Sequence, residues 1–297
     1  MKLQETQSDK ALVEQHPKIS VVLERAYAKI FTNFMAAPRY RDKFPELSHF
    51  VAIKGSHYGK AFDKNKRELR LMLIGRSANG WPSCHLPQRK RDESETSSEE
   101  QRKKIYEDMS GVEFGKYCSK KFNDTERFEW ISPNFTSWKN KKYHIRKSPL
   151  WNVSEKIWNK VAGEESRAPA KCPYYRWFEH IAWSNLYKIS PSSGNPGERM
   201  MHLQRQACVE ILKTEIRELK PTVIIMITDR NWFCPFHGLF ADISSCQDSD
   251  LQHICATACF KRGNADIPVI ITSRPERQRQ KDFVDATVKA FNLLCGK

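Results

Sequence analysis

The sequence predicts an α/β fold, a three-layer α/β/α sandwich around a central, mostly parallel four-stranded sheet, and three observations carry that expectation. Four short apolar stretches each run into a polar loop rich in Gly, Pro, Asn, Ser or Arg, which is how strand-end sites of α/β proteins are assembled. One of them, Val223 to Ile227, is apolar throughout, as a central strand buried on both faces must be. Helical patterns separate or follow the strands, and parallel neighbours need such crossovers.

In chain order, Ala11 to Met35 carries Leu12, Val13, Ile19, Val22, Leu23, Ala26, Ile30 and Phe31, with helical spacing from Ile19 onward, so residues 1–60 are expected to form an N-terminal helical cap. Residues 61–297 are then one α/β domain. Its first strand, Leu69 to Ile74, enters the loop Gly75-Arg76-Ser77-Ala78-Asn79-Gly80-Trp81. Pro87 to Arg102, with a Lys/Arg run and an acidic Ser/Thr stretch, reads as a mobile loop or the rim of a basic insertion at about 85–170. Within it, Ser154 to Val161 is expected to be helical. The second strand, Ile181 to Ser184, enters Asn185-Leu186-Tyr187-Lys188, and Glu198 to Leu219 is an amphipathic helix ended by Pro221. The third strand, Val223 to Ile227, enters Thr228-Asp229-Arg230-Asn231-Trp232. The fourth, Val269 to Ile271, enters Thr272-Ser273-Arg274-Pro275-Glu276, and Gln280 to Leu294 closes the chain as a helix.

Composition bounds the function. A chain of 297 residues can bury a full core. Its nine scattered cysteines, an odd number, fit a reducing, cytoplasmic setting better than a disulfide scaffold. No apolar run of about 18 residues is present to span a bilayer, and the polar start, Met1 to Lys10, is unlike a signal peptide, so no membrane partner is expected. The formal charge of +15 favours a nucleic-acid partner, because phosphates bind Lys and Arg with release of counterions. From Gln101 to Lys147, 12 Lys and Arg stand against 6 Asp and Glu. They interleave with Tyr106, Phe114, Tyr117, Phe122, Phe128, Trp130, Phe135, Trp138 and Tyr143, a pattern that suits either base stacking beside a phosphate track or a solvated surface over a small aromatic core. No Gly-x-Gly-x-x-Gly or phosphate-loop lysine motif supports a free-nucleotide enzyme.

The order of the strand-end loops resembles the uracil-DNA glycosylase superfamily. The segments concerned are Gly75 to Gly80, Ser184 to Ile189 and Ser273 to Gln278. Trp183-Ser184-Asn185-Leu186-Tyr187-Lys188-Ile189 carries most of the likeness, which spans Leu69 to Leu294 apart from the charged insertion. The resemblance implies a uracil-DNA glycosylase-like fold and a monofunctional DNA glycosylase, a hydrolase that flips a base from single- or double-stranded DNA and cleaves its N-glycosidic bond. No cofactor and no metal are expected, and a monomer is.

In that reading Asn185 holds the base edge, its amide supplying a donor and an acceptor, with Gly75 and Trp81 at the pocket wall. Asn185 shaping a turn is the alternative. Ser77 and Asn79 stand where the family places a water-positioning group, and neither can act as a general base near neutral pH. Asp229 is the leading carboxylate for water activation and Glu276 the second, although each equally suits an ion pair with a nearby Arg. Arg274 replaces the family's His before Pro, so a permanent charge stands ready to clamp phosphate or neutralise a departing anion. Ser273, Arg277 and Arg279 extend a phosphate-gripping loop, and Arg76 and Lys188 are candidate phosphate or sugar contacts.

These departures suggest a modified or enlarged pyrimidine, such as a hypermodified cytosine in invading viral DNA, which would serve antiviral defence, with uracil and DNA repair as the other expectation. A glycosylase-like DNA-binding protein without catalysis is the competing expectation. The stretch Cys234, His237, Cys246, His253, Cys255 and Cys259 lacks paired Cys-x-x-Cys knuckles, and Cys255 and Cys259 are expected one helical turn apart in an apolar setting. No lysine stands out for Schiff-base lyase chemistry.

Overall fold

The computed structural model describes residues 19–77, 99–122, 148–166, 177–246, 248–263 and 265–296. The first described elements are α1 (Ile19–Met35), the short α2 (Pro38–Arg41), and two short strands, β1 (Ser48–His49) and β2 (Ile53–Lys54). Strand β3 (Leu71–Gly75) follows, then α3 (Glu99–Glu107), α4 (Gly111–Phe122) and α5 (Pro149–Val161). Next come β4 (Ala182–Asn185), β5 (Ile189–Ser190), α6 (Glu198–Leu219), β6 (Val223–Ile227) and α7 (Arg230–Phe233). The chain finishes with β7 (Ala241–Ser245), β8 (Ile254–Arg262), β9 (Ala265–Thr272) and α8 (Gln280–Cys295).

One sheet runs in the order β2-β4-β3-β6-β9-β8-β7, and β1 pairs with β5 beside it. The central β4, β3, β6 and β9 are mutually parallel, as expected, but the sheet has seven strands instead of four. The additions are antiparallel, β2 on β4 at one edge and β7, β8 on β9 at the other. The fourth strand is longer than its apolar core because Ala265 to Pro268 pair with Cys259 to Arg262 in a hairpin. Polar Asp266 and the proline hide that extension from a reading based on apolar runs.

Alternation of side chains across the central strands builds two cores. Met72, Ile74, Ala182, Ile224, Met226, Val269 and Ile271 face α1, α4 and α6. Leu71, Leu73, Trp183, Val223, Ile225, Ile227 and Ile270 face α5 and α8. Helices therefore cover both faces.

Two expected boundaries change. The described part of the expected cap, residues 19–60, is not separate from the α/β domain, because α1 packs on α4 and α6 within one face's core and β2 joins the main sheet. The proposed insertion supplies structural helices to both faces, α4 on α1 and α5 on α8. Helix α4 starts at a reciprocal cap: Glu113 accepts from Ser110 N at 2.8 Å, and Ser110 Oγ accepts from Glu113 N at 3.2 Å. Those hydrogen bonds from Ser110 hold the Glu113 carboxyl below its ordinary range. Tyr106, Phe114 and Phe122 are buried, with Phe114 against Phe31 and Phe44 at 5.2 and 5.7 Å between ring centroids. These aromatics are core, and no base can stack on them; Phe128, Trp130, Phe135, Trp138 and Tyr143 lie outside the described residues. Among the described residues, no helix is long and apolar enough to cross a membrane.

Candidate active site at the strand ends

The parallel strands follow one another in the chain as β3, β4, β6 and β9 but lie in the order β4-β3-β6-β9. The chain leaves β3 toward one edge and returns past it to β6, so the loops after β3 and β6 depart in opposite directions, and a crevice opens there in folds of this kind. Arg76, the first residue after β3, spans that point. Its Nε donates to the Thr228 carbonyl at 2.7 Å, its Nη2 pairs with Asp229 Oδ2, and its guanidinium lies over the Trp232 ring at 5.0 Å. Burial, together with the Arg274 cation, lowers Arg76 to about 10, so it stays charged at neutral pH. Arg76 is thus a brace between two strand ends, and the expectation of a free phosphate contact is corrected: its donors are directed inward.

Asp229 has φ of 65°, a left-handed conformation costly for a residue with a Cβ. Three bonds hold it. Its Oδ1 accepts from Trp232 N at 3.1 Å, capping α7, its N donates to the Thr272 carbonyl at 2.9 Å, and Oδ2 meets Arg76. The leading water-activation candidate is therefore a rigid carboxylate already paired with a cation.

Asn185 ends β4 directly beside Gly75 of β3. Its side-chain oxygen occupies the space that a Cβ at position 75 would need, so Gly75 is required for the amide to lie there. Asn185 is buried, and among the described residues its Nδ2 has no hydrogen-bond partner. An unmet buried donor costs about 1–3 kcal/mol, and such groups in native folds call for an explanation. The pairing continues past the strands, with Leu186 N donating to Gly75 O and Tyr187 N to Arg76 O, both at 2.9 Å.

Lys188 corrects another expectation. It is fully buried, its ammonium 2.9 Å from both Glu215 carboxylate oxygens, 2.8 Å from Ser184 Oγ and 2.9 Å from Asn185 O. A sequestered ammonium cannot reach a DNA phosphate. Glu215 and Gln204, absent from the sequence-based site, fasten this segment to α6: Gln204 Oε1 accepts from Lys188 N at 3.0 Å and from Ile189 N at 2.8 Å. A signal for them was present in the sequence. Gln204, Cys208, Ile211 and Glu215 follow helical spacing and all are buried, so two polar residues interrupt the stripe facing the core.

The last loop differs. Arg274 grips Glu276 in a fork, Nε to Oε2 at 3.1 Å and Nη2 to Oε1 at 2.9 Å. Burial pushes the Glu276 carboxyl up, but hydrogen bonds from Arg274 outweigh it and leave the group below its usual range. Arg277 and Arg279 are exposed, Arg277 with φ of 65°. Ser273 departs from the phosphate-gripping expectation: its Oγ is buried, and its N donates to the His253 carbonyl at 2.8 Å. Ser77 is half-buried, its hydroxyl donating to Asn195 Oδ1 at 3.2 Å. Asn79, Gly80 and Trp81 lie outside the described residues.

The Cys/His stretch does not converge. Among the described residues, the one group with metal-ligand proximity is Asp242, Cys259 and Asp266, where the Lys261 ammonium already sits 2.9 and 2.7 Å from the two carboxylates. Cys255 and Cys259 lie on strand β8 and not on a helix. Compared with protein-family models and with curated proteins, the chain gives no match to either.

Proposed function

We propose that this protein is a monofunctional DNA glycosylase whose pocket lies outside the carboxyl ends of β3, β4 and β6, with Asn185 as the base-reading residue. One observation carries the proposal: a buried side-chain amide at a strand end, seated over Gly75, with its Nδ2 donor unused among the described residues. A flipped pyrimidine brings adjacent acceptor and donor atoms on its Watson–Crick edge, and a carbonyl of that edge would satisfy the donor. Arg76 and Asp229 hold the strand ends apart at a fixed geometry, and the lone pairs of Asp229 not used by Arg76 and Trp232 suit a water held against the sugar carbon. Hydrolysis then puts that water's oxygen on the sugar carbon while the bonding electrons leave with the base. The exposed Arg277 and Arg279, with the high net charge, suit the phosphate track. A pyrimidine larger than uracil remains the favoured substrate, read from the departures in the first and last loops.

The second reading, a DNA-binding protein without catalysis, is favoured by one observation: Asp229 and Glu276, the carboxylates at the strand ends, are both neutralised by arginines. The test is abasic-site formation on duplexes and single strands carrying uracil, deaminated bases or hypermodified cytosine. Base release by the wild type, with at least about a 100-fold loss in Asn185→Ala, supports the enzyme. Salt-sensitive DNA binding with no base released from any substrate selects the second reading. Release of uracil alone removes the enlarged-pyrimidine version.

A further inference from the structure

Lys188 and Glu215 are fully buried and opposite in charge, and they lie on different elements, the turn after β4 and the C-terminal part of α6. Such a pair is a poor way to gain stability, because desolvation of both charges offsets most of their attraction, and apolar replacements of similar size are often neutral or better. What the pair does locally is specific. The Lys188 ammonium donates to Ser184 Oγ and to the Asn185 carbonyl, and Ser184 Oγ donates to Glu215 Oε2 at 2.6 Å. Both residues of the strand end that carries the unpartnered amide are therefore tied to the two charges. Residues 181–190 are buried without exception, although 186–188 run outside any strand, and Gln204 satisfies the backbone of Lys188 and Ile189 from the same helix.

We propose that Lys188 and Glu215 are positioning residues: the ion pair fixes the backbone of Asn185 in the orientation that keeps its amide over Gly75, with its buried Nδ2, unpaired among the described residues, held for a ligand carbonyl. This deepens the proposed base-reading role and rests on it, but the orientation of Asn185 can be read without any activity. Removing one charge alone strands the other, so the test is the apolar pair Lys188→Met with Glu215→Leu. Its readouts are the Asn185 side-chain amide resonances in a proton–nitrogen NMR spectrum, assigned by their disappearance in Asn185→Asp, and the ratio of affinities for a duplex carrying the pyrimidine substrate and the same duplex with an abasic analogue at that position.

The expected result is a folded protein with a melting temperature near that of the wild type, shifted or broadened Asn185 amide signals, and about a tenfold fall in the affinity ratio with abasic-duplex affinity unchanged. Unaltered amide signals in the folded pair variant overturn the inference. If the pair variant does not fold, Ser184→Ala, which takes one hydroxyl from the network and leaves both charges paired, carries the same readout: moved signals support the positioning role and unmoved ones overturn it. A wild type with no preference for the pyrimidine duplex defeats the base-reading proposal instead, while the amide signals still decide the positioning.

Discussion

The two strand-end loops that carry most of the proposed chemistry are built in opposite ways. The segment from the end of β4, Asn185 to Ser190, is wholly buried, held by Lys188, Glu215 and Gln204, and leaves two polar groups unmet among the described residues, Asn185 Nδ2 and Ser190 Oγ. The segment after β9 is half in solvent, its Arg274 satisfied by a neighbour two residues away and its Arg277 and Arg279 exposed. A group that must discriminate one hydrogen-bonding edge needs fixed orientation and exclusion of water, because its value comes from the penalty a wrong partner incurs. A group that meets phosphates needs only charge near the surface, since the gain is counterion release and depends weakly on geometry. Under the proposed function, these are a rigid reader and an adaptable grip.

The largest effect separating the loops is expected from Gly75→Ala. The added Cβ overlaps the Asn185 side-chain oxygen, so the amide must move, and base-specific affinity should fall by on the order of 100-fold, with a stability cost of about 1–3 kcal/mol for the overpacking. Competition binding with matched pyrimidine and abasic duplexes, beside thermal melts, measures both; an intact preference in a folded variant would break the comparison at its rigid end.

Acid should weaken the reader before the grip. His49 is buried beside Tyr106, its Nδ1 3.0 Å from the hydroxyl, and burial lowers it to about 3. It sits on β1 opposite Ile189 of the Asn185 segment. The folded protein keeps His49 neutral while the unfolded chain takes up a proton below about pH 6.5, so stability is full above that pH and declines as pH falls toward 3, by up to about 1.4 kcal/mol per pH unit. Denaturant melts across this range, with Tyr106→Phe as a control that keeps the ring, check the slope. A flat profile would remove His49 as its source.

Arg277→Ala and Arg279→Ala should weaken binding to every DNA sequence alike, each lowering the slope of log affinity against log salt by about 1 and leaving the pyrimidine preference unchanged. Titrations at several salt concentrations decide this, and a change in preference would show that the outer loop also reads sequence. The smallest effect is expected from Arg277→Gly, which loses the same charge as Arg277→Ala but relieves the left-handed backbone, so its melting temperature should exceed that of the alanine variant by a few degrees.

Much of the scaffold was legible in the residues. Helix α6 and strand β6 fall on the predicted spans, and α1, α5 and α8 fall within a few residues of theirs, because long periodic or uniformly apolar segments carry their own burial pattern. The antiparallel edges were not legible, since β2 has two residues and β8 alternates buried and half-buried positions around two cysteines and two alanines that read as helical or undefined. At the site, Asn185 next to Gly75 followed from both ending neighbouring parallel strands. The roles of Arg76 and Lys188 did not follow, because a cation in a loop reads the same whether it points to solvent or inward.

The sequence by itself therefore determined which segments must be buried and in what periodicity, and with them the parallel core and the loops at its carboxyl ends. Only the tertiary structure decided which charges those loops expose. Arg76 met Asp229 and Lys188 met Glu215 across 153 and 27 residues of chain, and such pairings depend on the strand order β4-β3-β6-β9, which no local pattern encodes. Burial free energy is a property of each residue and its near neighbours, whereas partnership between charges is a property of the assembled fold.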